Sequence, residues 1–181
     1  MEYNKIITLK NSMECCLRNG TESDGQAVFD IFNLTHSETD YLLSYPDENS
    51  FDAVREGQFL KEKSESENEI EIVAVVDNAV VGLAGIEAAG AKYKVRHRAE
   101  LGISVVKEFW GLGIGHALTA ACIECARAAG YVQLELNVVA ENERALSMYE
   151  KAGFVEYGRN PKGFRSRTAG FQELVYMRLE L

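Results

Sequence analysis

A chain of 181 residues that is 46% apolar carries enough hydrophobic surface for one well-buried core but is short for two, so residues 1–181 are expected to form a single domain. Its formal charge is −9, with the acidic residues crowded into the first 71 positions, and that field repels phosphate backbones and argues against nucleic acid as a partner. There is no run of 18 apolar residues and the opening MEYNKIITLK alternates polar with apolar residues, which predicts no membrane association, no secretory leader and a cytoplasmic location.

Two alternating stretches, Lys5 to Leu9 and Met13 to Arg18, flank Lys10-Asn11-Ser12 and read as a hairpin. Thr21-Glu-Ser-Asp then resembles a capping box in front of Ala27, Val28, Ile31, Phe32 and Leu34, an apolar stripe at helical spacing that ends near His36. A second helix is predicted from Ser50 to Ser64 with Phe51, Val54, Phe59 and Leu60 as its apolar side. Ile70 to Val76 and Val80 to Glu87 are β-branched runs around Asp77-Asn78-Ala79, where Asp and Asn tolerate the positive dihedrals of a tight hairpin.

After a basic interlude from Ala91 to Arg98, Ala99 to Val106 forms the next strand, with Leu101, Ile103 and Val105 on one face. A glycine-rich turn leads into a helix carrying Ile114, Leu118, Ala121, Cys122, Cys125 and Ala129 on one side and stopped by Gly130. Tyr131 to Val138 is a strand, Asn142 to Lys151 a helix closed by Gly153, Phe154 to Tyr157 a strand, Asn160 to Gly163 a turn, and Glu173 to Leu179 the final strand. Cys122 and Cys125 fall on the apolar stripe of their helix and read as buried thiols, while Cys15 and Cys16 point to opposite faces of their strand; no metal is implied.

The chemistry concentrates between the strand ending at Val106 and the helix starting near Ile114. Glycines at 111, 113 and 115 let backbone N–H groups approach a ligand unobstructed, and the helix N-terminus adds partial positive charge, so a pyrophosphate suits the turn. Close strand-to-helix packing would ask for glycine there equally. A dinucleotide fingerprint from Gly111 needs a third glycine where His116 stands, one from Gly113 needs it where Leu118 stands, and no Gly-Lys-Ser/Thr follows for a P-loop.

Residues 110–115, Trp-Gly-Leu-Gly-Ile-Gly, resemble the cofactor loop of the GNAT acetyltransferase superfamily, Arg/Gln-x-x-Gly-x-Gly/Ala, with Trp110 in place of the usual Arg or Gln. The run from Asn142 to Phe154 resembles the same family's Asn-x-x-Ala-x-x-x-Tyr-x-x-x-Gly-Phe signature, with Tyr149 at its tyrosine. The resemblance covers residues 70–158 and implies an α/β (mixed α+β) GNAT fold: a central mixed, largely antiparallel sheet of six to seven strands, flanked by about four helices and splayed between the strands at 99–106 and 131–138.

It also implies acetyl-CoA as co-substrate and a primary amine as acceptor, a small molecule or a protein N-terminus, in a direct ternary-complex transfer. Backbone groups of Ile103, Ser104 and Val105 would pair with the pantetheine, the loop Trp110, Gly111, Leu112, Gly113, Ile114, Gly115 with His116 would hold the pyrophosphate, and Asn142 and Tyr149 would complete the set. Tyr149 matches the family's general acid, a phenol that stays protonated at neutral pH yet can donate to a thiolate. For the base, His97 and Glu100 both stand upstream of the loop; alternation puts them on opposite faces unless a bulge changes the parity, and either one can be an ordinary surface residue.

Arg144, Lys162, Arg165 and Arg167 read as solvated cations with a phosphate contact as the alternative. The segment after the first helix and the one from Asn160 to Gly170 would shape the acceptor pocket, and neither carries a code for the amine. A homodimer is compatible with the sequence. The alternative function is a non-catalytic acyl-CoA-binding sensor or interaction protein on the same fold.

Overall fold

Residues 1–181 are all described by the computed structural model, and the chain begins with a hairpin, β1 (Asn4–Thr8) paired antiparallel with β2 (Glu14–Asn19) around Ser12 at φ 68. At the end of β2 the Arg18 guanidinium grips Asp24 through contacts of 2.7 and 2.8 Å, and the Thr21 amide donates to the same carboxylate at 2.8 Å. The Arg18 contacts, ahead of those from Thr21, hold the Asp24 pKa down to about 2 and fix the start of α1 (Gly25–Glu38). Helix α2 (Ala53–Glu65) is capped by Asp52, whose carboxylate accepts from the Arg55 amide at 2.8 Å.

The expected apolar side of α2 is only partly real. Leu60 is fully buried, but Phe51 precedes the helix and Val54 is 69% exposed; Glu56, Gly57 and Lys63 complete the inner face. Lys63 is accommodated there because its ammonium reaches Glu69 and Glu87, both at 2.8 Å. An ion triad replaces the apolar contact that the spacing suggested.

Strands β3 (Ile70–Val76) and β4 (Ala79–Ala88) form a hairpin that turns at Asp77 and Asn78, with φ of 48 and 66. β5 (Arg98–Val105), α3 (Ile114–Ala128), β6 (Gln133–Val139), α4 (Glu143–Lys151), β7 (Val155–Ser166) and β8 (Gly170–Glu180) follow. The eight strands make one sheet in the order β1-β2-β3-β4-β5-β6-β8-β7, more than the six to seven expected, because the opening hairpin joins the sheet edge through β2 and β3. Every pairing is antiparallel except β5 with β6.

Period two divides the sheet into faces. Ile70, Ile72, Ala74 and Val76 of β3 join Leu118, Cys122 and Ala126 of α3 in the larger core, whereas Val73, Val80 and Leu83 meet Val28 and Leu60 under α1 and α2. Full burial of a side chain such as Leu118 or Ile72 stabilises the fold by roughly 1.5–3 kcal/mol. Cys15, Cys122 and Cys125 are buried free thiols, and no group of three or more His, Cys, Asp or Glu is placed to hold a metal ion.

The turn expected at Asn160 to Gly163 is instead a bulge within β7, whose register with β8 passes from Asn160–Leu174 to Phe164–Gln172. Pro161 survives there because β7 is an edge strand, where a missing N–H breaks no ladder bond. The chain reverses later, ahead of Gly170 at φ 79. No helix is long and apolar enough to cross a membrane.

Candidate active site

β5 and β6 are paired only where Arg98, Ala99 and Glu100 meet Gln133, Leu134 and Glu135. Beyond that point β6 stays with β8 and β5 stays with β4, so the two strands part and leave one edge of β5 without a sheet partner. A cleft of about 660 Å³ opens there, lined by Ile103, Ser104 and Val105 of β5, by the glycine turn and by α4. Thr35, Thr39, Tyr41 and Leu42, at the end of α1 and just after it, form its other wall.

The turn from Trp110 to Gly115 uses its three glycines for two reasons. Gly111 and Gly113 have φ of 82 and 106, a region L-residues rarely enter, and a Cβ on either would meet nothing within 4 Å. Gly115 has ordinary helical geometry, but a Cβ there would sit 3.1 Å from the Met148 sulfur of α4. Gly113 is the N-cap of α3 and supplies no side-chain cap, so the amides from Gly111 to His116 donate to no protein group. Unpaired amides at a helix start attract an anion.

Trp110 has a task that the sequence did not disclose. Its indole N–H donates to the Val105 carbonyl at 2.6 Å, and the Arg144 guanidinium lies 5.3 Å from its ring centroid. The turn is thereby fastened to the end of β5. Arg144 lines the cleft, as do Lys10 and Lys151. Lys10 comes from the β1–β2 turn, about a hundred residues away in sequence, because its amide donates to the Leu112 carbonyl at 3.1 Å.

Tyr149 is 6% exposed, packs edge-on to Phe154 at 5.7 Å, and its hydroxyl has no hydrogen-bond partner in the protein. No buried polar side-chain atom is both sealed from solvent and unpartnered, so this hydroxyl opens onto the cleft that Tyr149 lines. Burial pushes its pKa well above the ordinary phenol value, which keeps the proton on the oxygen. Asn142 lines the cleft and caps α4, its Oδ1 accepting from the Ala145 amide at 3.2 Å.

Not every expected residue reaches the cleft. Ile114 is buried, Leu112 turns its carbonyl to Lys10, and both contribute amides only; His116 lines the cleft. His97 lies in the turn before β5, exposed, with its carbonyl accepting from Val132 and Gln133. Glu100 is exposed within β5 beside Glu87 and Glu135. Pairing of β4 with β5 runs from Gly82–Val105 to Ala88–Ala99 without a register shift, so no bulge alters the parity, and Glu100 shares a face with Gly102 and Ser104. A Cβ at Gly102 would meet nothing within 4 Å, so the sheet surface between Glu100 and Ser104 is bare.

The wall formed by the end of α1 and the segment after it is held from a distance. Asp40 accepts hydrogen bonds from the hydroxyls of Ser166 and, at 2.7 Å, Tyr45; the Tyr45 hydroxyl in turn accepts from the Arg167 amide at 2.9 Å. Arg167 also pairs with Asp47 at 2.8 Å and stacks over the Tyr45 ring. The segment after α1 is thus fastened to the β7–β8 hairpin.

A sequence model described as the Acetyltransferase (GNAT) family matches residues 26–154. N-alpha-acetyltransferase 30 of Schizosaccharomyces pombe is 32% identical over 74 residues, 41% of this chain and 49% of that protein, so the chain matches about half the length of this curated relative. Among solved structures, a GNAT-family acetyltransferase from Streptococcus pneumoniae is similar with a TM-score of 0.88 at 27% identity, covering 92% of this chain and 99% of that one. A phosphinothricin acetyltransferase from Sinorhizobium meliloti, solved in complex with AcCoA, shares the fold at a TM-score of 0.79 and 18% identity, covering 97% of this chain and 89% of that one.

Proposed function

The chain belongs to the GNAT acetyltransferase family, and from that premise we propose that it is an N-acetyltransferase, a single domain passing the acetyl group of acetyl-CoA to a primary amine within one ternary complex. The carrying observation is the row of unpartnered amides from Gly111 to His116 on the same cleft as the unpartnered Tyr149 hydroxyl. The residues present fit the co-substrate: a diphosphate needs amides and nearby cations, which the turn, Lys10, Arg144 and Lys151 supply.

Acetyl-CoA brings the activated thioester; the chain aligns it with the amine and manages protons. The open edge of β5 at Ile103 and Ser104 offers main-chain groups to an extended arm in the manner of an added strand. The Val105 carbonyl is already taken by Trp110, which makes the tryptophan a brace for the turn. As the C–N bond forms and the C–S bond breaks, Tyr149 donates its proton to the leaving sulfur, and the proton shed by the acylated nitrogen restores the phenol through solvent.

The ammonium must lose a proton before it attacks. Glu100 is the better candidate to receive it, through water lying along the bare strip at Gly102, because it shares a face with Ser104 at the cleft. His97 has no such path from its turn. An acidic surface favours a cationic acceptor, and likeness to an N-alpha-acetyltransferase supports a protein α-amino group alongside small amines.

A thiol-release screen with acetyl-CoA against an amine panel tests the reading. Turnover with at least one amine, lost in Tyr149→Phe while coenzyme A still binds, is the expected result. Absence of coenzyme A uptake in calorimetry overturns it, and uptake without turnover on any amine leaves a binder in place of an enzyme.

A further inference from the structure

The inner face of α2 holds a group that acetyl transfer does not use. Glu56 is 6% exposed, and its carboxylate makes no hydrogen bond and no ion pair. A buried carboxylate without a partner is strongly unfavourable unless something arrives to meet it. Because no buried polar atom in the protein is sealed from solvent without a partner, the Glu56 oxygens open onto the cavity that Glu56 lines, about 420 Å³ between α1, α2, the segment joining them and the sheet.

Glu71 lines the same cavity from β3, also with no side-chain partner. It lies against the sheet because Gly85, its cross-strand neighbour, has no side chain; a Cβ there would collide with the Glu71 carboxylate. Burial lifts the Glu71 pKa to about 8, opposed by Lys63 and reinforced by Glu87 and Glu56, and burial raises Glu56 as well. Lys63 does not neutralise either group, being committed to Glu69 and Glu87.

Phe32, Phe51 and Phe59 stand beside the two carboxylates, and Ser44, Glu48, Asn49 and Ser50 form a polar side on which Glu48 already accepts from the Tyr45 amide at 2.8 Å. Ring faces attract organic cations: Phe51 and Phe59 already carry Arg55 and Lys63, at 5.4 and 5.1 Å from their centroids, while Phe32 stacks on His36, and no group of three or more His, Cys, Asp or Glu is placed to hold a metal ion. We propose that this cavity is a second ligand site, separate from the transfer cleft, that takes an aliphatic ammonium ion with its charged end at Glu56 and Glu71 and its methylenes against the three phenyl rings.

Calorimetry on the full chain, with 1,4-diaminobutane as probe and uncharged 1,4-butanediol and magnesium chloride as controls, tests the assignment. Saturable binding of the diamine is expected, weakened at least about tenfold in Glu56→Gln/Glu71→Gln, with thermal unfolding showing that the variant remains folded. Phe59→Leu keeps an apolar wall and should weaken the diamine about threefold or more. Unchanged diamine affinity in the double variant overturns the proposal by placing the amine in the transfer cleft. No binding to the unmodified chain, or equal binding of butanediol or magnesium, overturns it as well.

Discussion

Alanine substitutions at Gly113 and at Gly115 should have different consequences, although the two glycines look interchangeable in sequence. At Gly113, with φ 106, an L-residue is forced into a left-handed conformation at a cost of roughly 1–2 kcal/mol. The new methyl meets nothing within 4 Å, so no packing gain offsets the strain. At about 2–4 °C per kcal/mol for a chain of this length, Gly113→Ala should melt about 2–8 °C lower.

At Gly115 the backbone is helical and the obstacle is the Met148 sulfur at 3.1 Å, an atom on a flexible side chain that can yield. Alanine there gains up to about 1 kcal/mol of helix propensity, so Gly115→Ala should stay within about 1 kcal/mol of the parent. The ligand effect should split likewise. The methyl introduced by Gly113→Ala stands on the open side of the turn and should weaken coenzyme A about tenfold or more, whereas the methyl introduced by Gly115→Ala points at α4 and should leave it nearly unchanged. Urea denaturation and calorimetry on both variants decide the matter. Equal destabilisation, or a Gly113→Ala chain that melts early yet binds coenzyme A normally, would refute the assignment of these amides to a ligand.

Tyr149→Phe should lower kcat about 100-fold or more while coenzyme A affinity changes little, as single-turnover thiol release would show. Asp40→Ala releases the segment after α1 from Ser166 and Tyr45; it should raise KM for the amine several-fold and leave coenzyme A binding intact in steady-state kinetics. Glu71 makes stability depend on pH. Its folded pKa of about 8 exceeds the ordinary 4.5, so its contribution is complete below about pH 4.5 and is lost as pH rises through 8, on the order of a few kcal/mol. Glu71→Gln should flatten that decline in urea titrations between about pH 4.5 and 9; parallel curves for the two chains would contradict the buried position of the carboxylate.

Much of this was legible from local pattern. The β3–β4 hairpin follows from β-branched runs around Asp77-Asn78, and α3 follows from an apolar stripe ended by Gly130, because each signal lies within a few residues of the structure it specifies. α2 departs from its apolar pattern where its inner face carries Glu56 and Lys63. Helical spacing registers apolar side chains and is blind to an ammonium satisfied by Glu69 and Glu87 from outside the helix. The Asn160–Gly163 segment has turn composition, yet as part of an edge strand it bulges and continues.

By itself the sequence determined the order of elements, the glycine turn and the tyrosine helix, since backbone dihedrals and side-chain periodicity are short-range properties. The family resemblance implied that β5 and β6 splay; tertiary structure alone decided that they part after Glu100, that Lys10 arrives beside Leu112, that Trp110 closes on Val105, and that Glu56 and Glu71 share one cavity. Those outcomes depend on which surfaces distant segments present to one another once packed, and no window of neighbouring residues contains that information.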